Sequence, residues 1–255
     1  MLDLVVGTIT QGLLWSLLAV GVFITFRVLD VADLTVEGSF PMGAAISAIL
    51  ITSGMNPVLS IVVAGIGGMI AGAVTGWIHT KLKIPALLAG ILTMIALYSV
   101  NLHIMGKANV SLLRMDTVYT MLGSLLGTVN MWSAAIVGVL VAAVVCLLLF
   151  WFFGTEIGTA LRSTGVKPQM IRAQGVNTDT MIVLGLLISN AFVAVSGALI
   201  GQAQGFADVG MGIGTIVIAA VLYMGMPPND LKLFTAILVA IALSLPTLKA
   251  KWLAR

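Results

Sequence analysis

"RVLDVADLTVEGSFPMG", residues 27–43, lies between two strongly apolar stretches of a chain that is otherwise almost free of charge. Three of the nine acidic residues, Asp30, Asp33 and Glu37, fall inside it. Between the helices of a soluble protein such a break would be ordinary. The rest of the chain changes its meaning. The 255 residues are 60% hydrophobic and 8% charged, with mean hydropathy +1.17, against about 25% charged for an average soluble domain. One core cannot hide that much apolar surface, so the solvent is lipid. The expected fold is all-α: a polytopic integral membrane protein, with residues 1–255 as a single transmembrane domain.

A helix crossing the hydrocarbon needs about 20 mainly apolar residues. Candidate spans are Leu4–Phe26, Pro57–Thr80, Ile84–Met105, Met131–Phe153, Thr180–Gly201 and Leu233–Leu248. The first lacks a basic n-region and a small-residue cleavage site, so it reads as a retained helix. Pro41–Thr52 and Met211–Met224 are too short to cross alone and read as broken or re-entrant half-helices. Lysine and arginine set the orientation. Lys81 and Lys83, then Arg162, Lys167 and Arg172, then Lys249, Lys251 and Arg255 can all be cytoplasmic at once, which places eight of the twelve bases inside. The Gly106–Val129 loop then faces outward, with Lys107 and Arg114. The net charge of +3 belongs to helix ends rather than to a stripe, so it reflects topology and not nucleic acid. The tryptophans fall mostly near helix ends, as an interfacial belt would.

"ADLTVEGSFPMGAAIS" and "QAQGFADVGMGIGTIVIA" share one design: a polar approach, then a short Gly-rich apolar helix. Paired interrupted segments point to a transport site between repeats. In the first copy Asp33, Thr35, Glu37 and Ser39 alternate. If that segment is extended or loosely wound, the four share one side and can line a hydrated cavity, with Leu34, Val36 and Gly38 packed behind. A solvated loop explains the same residues. In the polar stretch 154–178, helical pieces broken at Gly165 and Pro168 are expected. The second, "KPQMIRAQG", starts on a proline and runs to Gly175. Apolar at Met170 and Ile171 and basic at Arg172, it suits a partner's groove.

The run "GTALRSTGVKPQMIRAQGVNTDTMIVLGLLISNAFVAVSGALIGQAQG" resembles the corresponding region of ABC importer permeases of the branched-chain amino acid and ribose group. The matching positions are Gly158, Arg162, Ser163, Ala173, Gly175, Val176 and Asn177. The polar break "ADLTVEGSF" also resembles that family, and the likeness covers most of residues 5–215. Its general appearance is closest to small amino-acid permeases, including the tryptophan- and tyrosine-type. The resemblance implies a homodimer or heterodimer of permease subunits, cytoplasmic ATPase subunits, an extracytoplasmic substrate-binding protein and the bacterial plasma (inner) membrane. It also implies that Gly158, Arg162, Arg172, Ala173 and Gly175 belong to a coupling helix. Asp33, Thr35, Glu37 and Ser39 would then lie beside the translocation pathway. After "GMGIGTIVIAAVLYMGMPPND" the chain is shorter than the family's pattern by about one span.

Nothing points to an enzyme. His79 and His103 are isolated, and no spacing assembles a nucleophile set. "GMGIG" at 210–214 has no strand before it and no Lys–Ser after it, so it is not a nucleotide loop. Its glycines suit close helix packing. The chain therefore carries no cofactor of its own, and ATP and Mg are expected on a partner ATPase. The lone Cys146 reads as a buried, inert thiol. Three functions remain: importer permease, ion-coupled secondary transporter, and non-transporting membrane scaffold or intramembrane enzyme.

Overall fold

The computed structural model describes residues 2–126 and 131–215. The expected span Leu233–Leu248, the basic tail and most of Met211–Met224 lie outside the described residues.

Nine α-helices and one two-stranded sheet make up the described chain. The helices are α1 (Leu2–Phe23), α2 (Val36–Thr52), α3 (Pro57–Lys81), α4 (Ala86–Met105), α5 (Val118–Leu126), α6 (Met131–Gly154), α7 (Glu156–Val166), α8 (Pro168–Ala173) and α9 (Thr178–Gln204). A π-helical turn, Ile24–Val28, extends α1. Five of these helices are long and apolar enough to cross a membrane. Their ends carry the expected signals. The Asn56 side chain caps α3 by accepting from the Val58 N–H at 2.9 Å, with Pro57 in the first turn. Asn177 caps α9, which stops at Gly205 in the left-handed region, φ 75°.

Helix α9 is the most enclosed span and α6 the least. Lipid supplies no hydrophobic drive between helices, so close packing must come from small residues. Along α3, a Cβ on Gly68 or Gly72 would strike the carbonyl oxygens of Asn190 and Leu186 on α9. Those glycines let the two backbones touch. The core around α1, α2 and α9 includes Leu14, Leu18, Phe40, Val193 and Leu199. Trp15 stacks on Phe40 with ring centroids 5.2 Å apart, so this tryptophan belongs to the core and not to an interfacial belt. The reason is its place midway along α1.

Both ends of the bundle are recognisable. At one, β1 (Asn109–Ser111) pairs antiparallel with β2 (Phe206–Asp208), Val110 opposite Ala207. At the other, the α3–α4 connection, α8 and the start of α9 enclose a common cavity. There Gly165 of α7 backs against Val28 and Leu29. Arg27, Lys81, Lys83, Lys167 and Arg172 belong to this second end, which makes it the cytoplasmic one.

Four expectations are corrected. Helix α2 begins at Val36, with Pro41 inside it. Pro41 cannot bond the Glu37 carbonyl, and the Gly212 backbone fits against that oxygen and the proline ring. Gly165 does not break the 154–178 stretch. Helix α7 runs through it to Val166, and the break falls at Lys167, before Pro168. Cys146 is exposed rather than buried, because α6 packs chiefly on α1 and turns most of its circumference outward. Finally, the Gly106–Val129 loop is partly structured: β1 and α5 lie within it, and Tyr119 donates to the Leu199 carbonyl at 3.1 Å.

Candidate functional site

The site begins where α1 gives way to α2. Asp33 Oδ1 accepts from the Thr35 N–H at 2.9 Å, an Asx turn that starts α2. Its other oxygen accepts from Asn190 Nδ2 at 2.8 Å. Asn190 also donates to the Leu186 carbonyl at 3.0 Å, and its Oδ1 accepts from the Ser39 hydroxyl at 2.6 Å. Both amide hydrogens and the amide oxygen are therefore engaged. The Thr35 and Thr75 hydroxyl oxygens lie 2.8 Å apart. Thr75 gives its proton to the Ala71 carbonyl, so Thr35 is the donor between them. Asp33, Thr35, Ser39 and Asn190 are all buried, none more than 1% exposed. Each unmade bond there would cost about 1–3 kcal/mol, so the node fixes α2, α3 and α9 together.

Glu37 does not join the others on one side. Helix α2 already includes it, and a 3.6-residue period puts Ser39 on the face of Thr35 and Glu37 away from it. Half-buried, Glu37 accepts from the Gly214 N–H at 3.2 Å through Oε1. Gly214 belongs to the second copy of the repeated design. After β2 the chain turns back through Val209, packed among Ala44, Ala45 and Ala48, to Gly212 against Pro41. Thr215 is the last described residue. So the two interrupted segments meet, and Glu37 is the side chain that bridges them.

Nearer the outer end a second polar node closes on Gln202. Its Nε2 lies 2.9 Å from the Ser47 hydroxyl and 3.4 Å from that of Ser60, and its Oε1 accepts from the Val118 N–H at 3.0 Å. Sequence reasoning missed Asn190, Thr75 and Gln202. The available signal was a carboxamide or hydroxyl inside an apolar span, which is retained only where it finds a partner.

On the cytoplasmic face the expected coupling residues divide. Helix α8 closes with a double bond pattern, Val176 N–H to the Ile171 carbonyl at 3.3 Å and Gly175 N–H to that of Arg172 at 3.0 Å. Gly175 sits at φ 86°, the left-handed conformation that such a stop requires. Arg172, Ala173 and Gly175 are exposed, and Met170 is too, while Ile171 is buried. The Arg172 guanidinium donates to the Thr178 hydroxyl and pairs with Asp179 at 3.3 Å. Arg162 lies elsewhere, its guanidinium 5.6 Å from the Phe153 ring centroid. Gly158 is buried against the Phe152 carbonyl, so it shapes the α6–α7 corner and presents nothing outward. Among the described residues no three His, Cys, Asp or Glu side chains gather as a metal site.

Long apolar helices, two interrupted segments meeting inside them and a short helix pair on the cationic face define a polytopic membrane permease. The chain matches the family described as "Branched-chain amino acid transport system / permease component" over residues 4–249, and it belongs to that family. It is 41% identical over 215 residues to a tyrosine transport system permease protein of Clostridioides difficile, covering 84% of this chain and 70% of that one. An uncharacterized protein of Rickettsia prowazekii is 30% identical over 92% of this chain and 82% of its own. A high-affinity branched-chain amino acid transport system permease protein of Salmonella typhimurium is 24% identical over 77% and 69%. No solved structure matches. The protein is thus a multi-pass permease of the bacterial inner membrane and a component of an amino-acid transport system.

Proposed function

We propose that this chain is the membrane subunit of an ATP-driven ABC importer, moving an amino acid of the aromatic class inward by alternating access. The observation that carries this reading is the junction of Gly165 with Val28 and Leu29. It places α7, which leads into α8, directly on the π-helical end of α1, a few residues before the Asp33 node. A motor that drew α8 inward would push that end, and α2, α3 and α9, locked together by the Asp33 node, would tilt as one rigid body. The ATPase, with its ATP and Mg, would be a separate cytoplasmic chain, and two permease subunits would share a binding protein outside. Glu37, where the interrupted segments meet, is the pathway residue of the original four. Arg172, Ala173 and Gly175 are the coupling contacts, with Arg162 and Gly158 supporting α7. The likeness to a tyrosine permease supports the aromatic class.

An ion-coupled carrier has less support, because Asp33 is held by Thr35 and Asn190 rather than facing a path. The test is co-purification from native membranes, followed by uptake in vesicles. A nucleotide-hydrolysing subunit should accompany the chain, and uptake of tyrosine or tryptophan should require ATP and the binding protein. Uptake driven by an ion gradient with no such subunit would overturn the proposal.

A further inference from the structure

The cytoplasmic end holds a cavity of about 650 Å³, and the transport reading uses one residue of its lining, Arg172. Two stretches far apart in the sequence, 79–85 and 172–182, wall it. His79 and Thr80 lie at the end of α3 and Lys83 in the α3–α4 connection, while Arg172 is on α8 and Asn177 and Thr178 begin α9. Lys83, Arg172 and the Asn177 carboxamide line one space, while the Thr80 hydroxyl donates to the Gly76 carbonyl and His79 Nδ1 lies 2.7 Å from the Ile84 carbonyl oxygen. Asp179 also lines it and pairs with Arg172, so Lys83 is the uncompensated charge of the lining. The remaining wall is apolar, with Ile84, Pro85 and Ile182.

Lys83 adds an independent sign. Its φ is 55°, in the left-handed region where glycine or asparagine sits with less strain. The residue held there is nevertheless a lysine. Outside the lining but near it in sequence, Trp77, Leu82 and Leu87 expose about half of their surface on the spans α3 and α4 and their connection. A ligand in this place meets donors at its head and an apolar surface along its tail.

We propose that this cavity binds the phosphodiester headgroup of an anionic phospholipid of the inner leaflet. Basic pockets between spans at the cytoplasmic surface suit such headgroups, and that leaflet carries the anionic lipid. The acyl chains would lie over Trp77, Leu82 and Leu87. A soluble phosphate shares the headgroup chemistry but has no use for that surface.

The test is native mass spectrometry of the full-length protein in detergent, offered equal dioleoyl phosphatidylglycerol and dioleoyl phosphatidylcholine. Wild type should retain phosphatidylglycerol in preference. Lys83→Asn, which suits the left-handed backbone, should lower that preference about fivefold, as expected for one cation near a membrane surface. Lys83→Arg should keep it. Asn177→Asp preserves the α9 cap while adding a carboxylate to the cavity. It should show the same loss, and it carries the test if Lys83→Asn does not fold. Lys167→Gln removes a cation of the same face outside the cavity and should change nothing. Equal retention of the two lipids by wild type, or an equal loss in Lys167→Gln, would overturn the proposal. So would displacement of phosphatidylglycerol by millimolar inorganic phosphate, which would assign the cavity to a soluble anion.

Discussion

Asp33 and Asn190 stand 157 positions apart in the chain and 2.8 Å apart in space. Through that bond the break after α1 is tied to the middle of α9, and the Ser39 hydroxyl is tied to the same amide. Removing the amide strands two buried partners at once. Asn190→Ala should destabilise the protein by about 1–3 kcal/mol for each stranded group, read as a lowered thermal midpoint in detergent. A double-mutant cycle of Asn190→Ala with Ser39→Ala should show coupling of about 0.5–3 kcal/mol. Strict additivity would mean that the two side chains do not meet.

Backbone contact between α3 and α9 makes Gly72 sensitive to one methyl group. Gly72→Ala drives a Cβ into the Leu186 carbonyl and should cost about 1–3 kcal/mol as overpacking. At Gly12 of α1 a Cβ meets nothing within 4 Å, so Gly12→Ala should be tolerated. Melting curves of the two variants side by side make the comparison, and a Gly72→Ala protein as stable as wild type would contradict the close crossing.

For Arg172 the prediction separates stability from coupling. Its ion pair with Asp179 is largely exposed, 62% and 46% by side chain, and such pairs contribute about 0–1 kcal/mol. Arg172→Glu should therefore fold and assemble normally yet hydrolyse ATP without moving solute. Coupled uptake at the wild-type rate would remove Arg172 from the coupling contacts.

Glu37 is tested by shape against charge. Glu37→Gln keeps an oxygen able to accept from Gly214, whereas Glu37→Ala keeps none. If the bridge between the two interrupted segments is what matters, uptake falls in the alanine variant and largely survives in the glutamine one. Equal loss in both variants would point to the negative charge itself, and no loss in either would return Glu37 to the solvated-loop reading.

Much of this architecture was legible in the sequence, for a simple physical reason. Bilayer thickness dictates a run of about 20 apolar residues, so α3, α4 and α6 end within two residues of the expected limits. Helix α2 was harder to read. Pro41 looks like a first-turn proline, but tertiary packing let the helix start five residues earlier by accommodating the carbonyl it leaves unbonded. That early start changed the site. Alternation places Asp33, Thr35, Glu37 and Ser39 together only in extended chain, and the helical period sends Glu37 toward Gly214 instead. Asn190 could not be paired with Asp33 from sequence, because nothing local encodes a contact across 157 residues. The 154–178 stretch was legible at Pro168 and Gly175, where backbone chemistry is local. It was not legible at Gly158, whose burial depends on the α6–α7 corner.

The pairing of Val110 with Ala207 has a mechanical consequence. It staples the connection after α4 to the tail of α9 at the external surface, where Gln202 adds a second fastening. Among the described residues the opposite surface has one ion pair, Arg172 with Asp179, and that one is exposed. A load applied from the cytosol would act at the end away from these two fastenings, which would serve as its pivot.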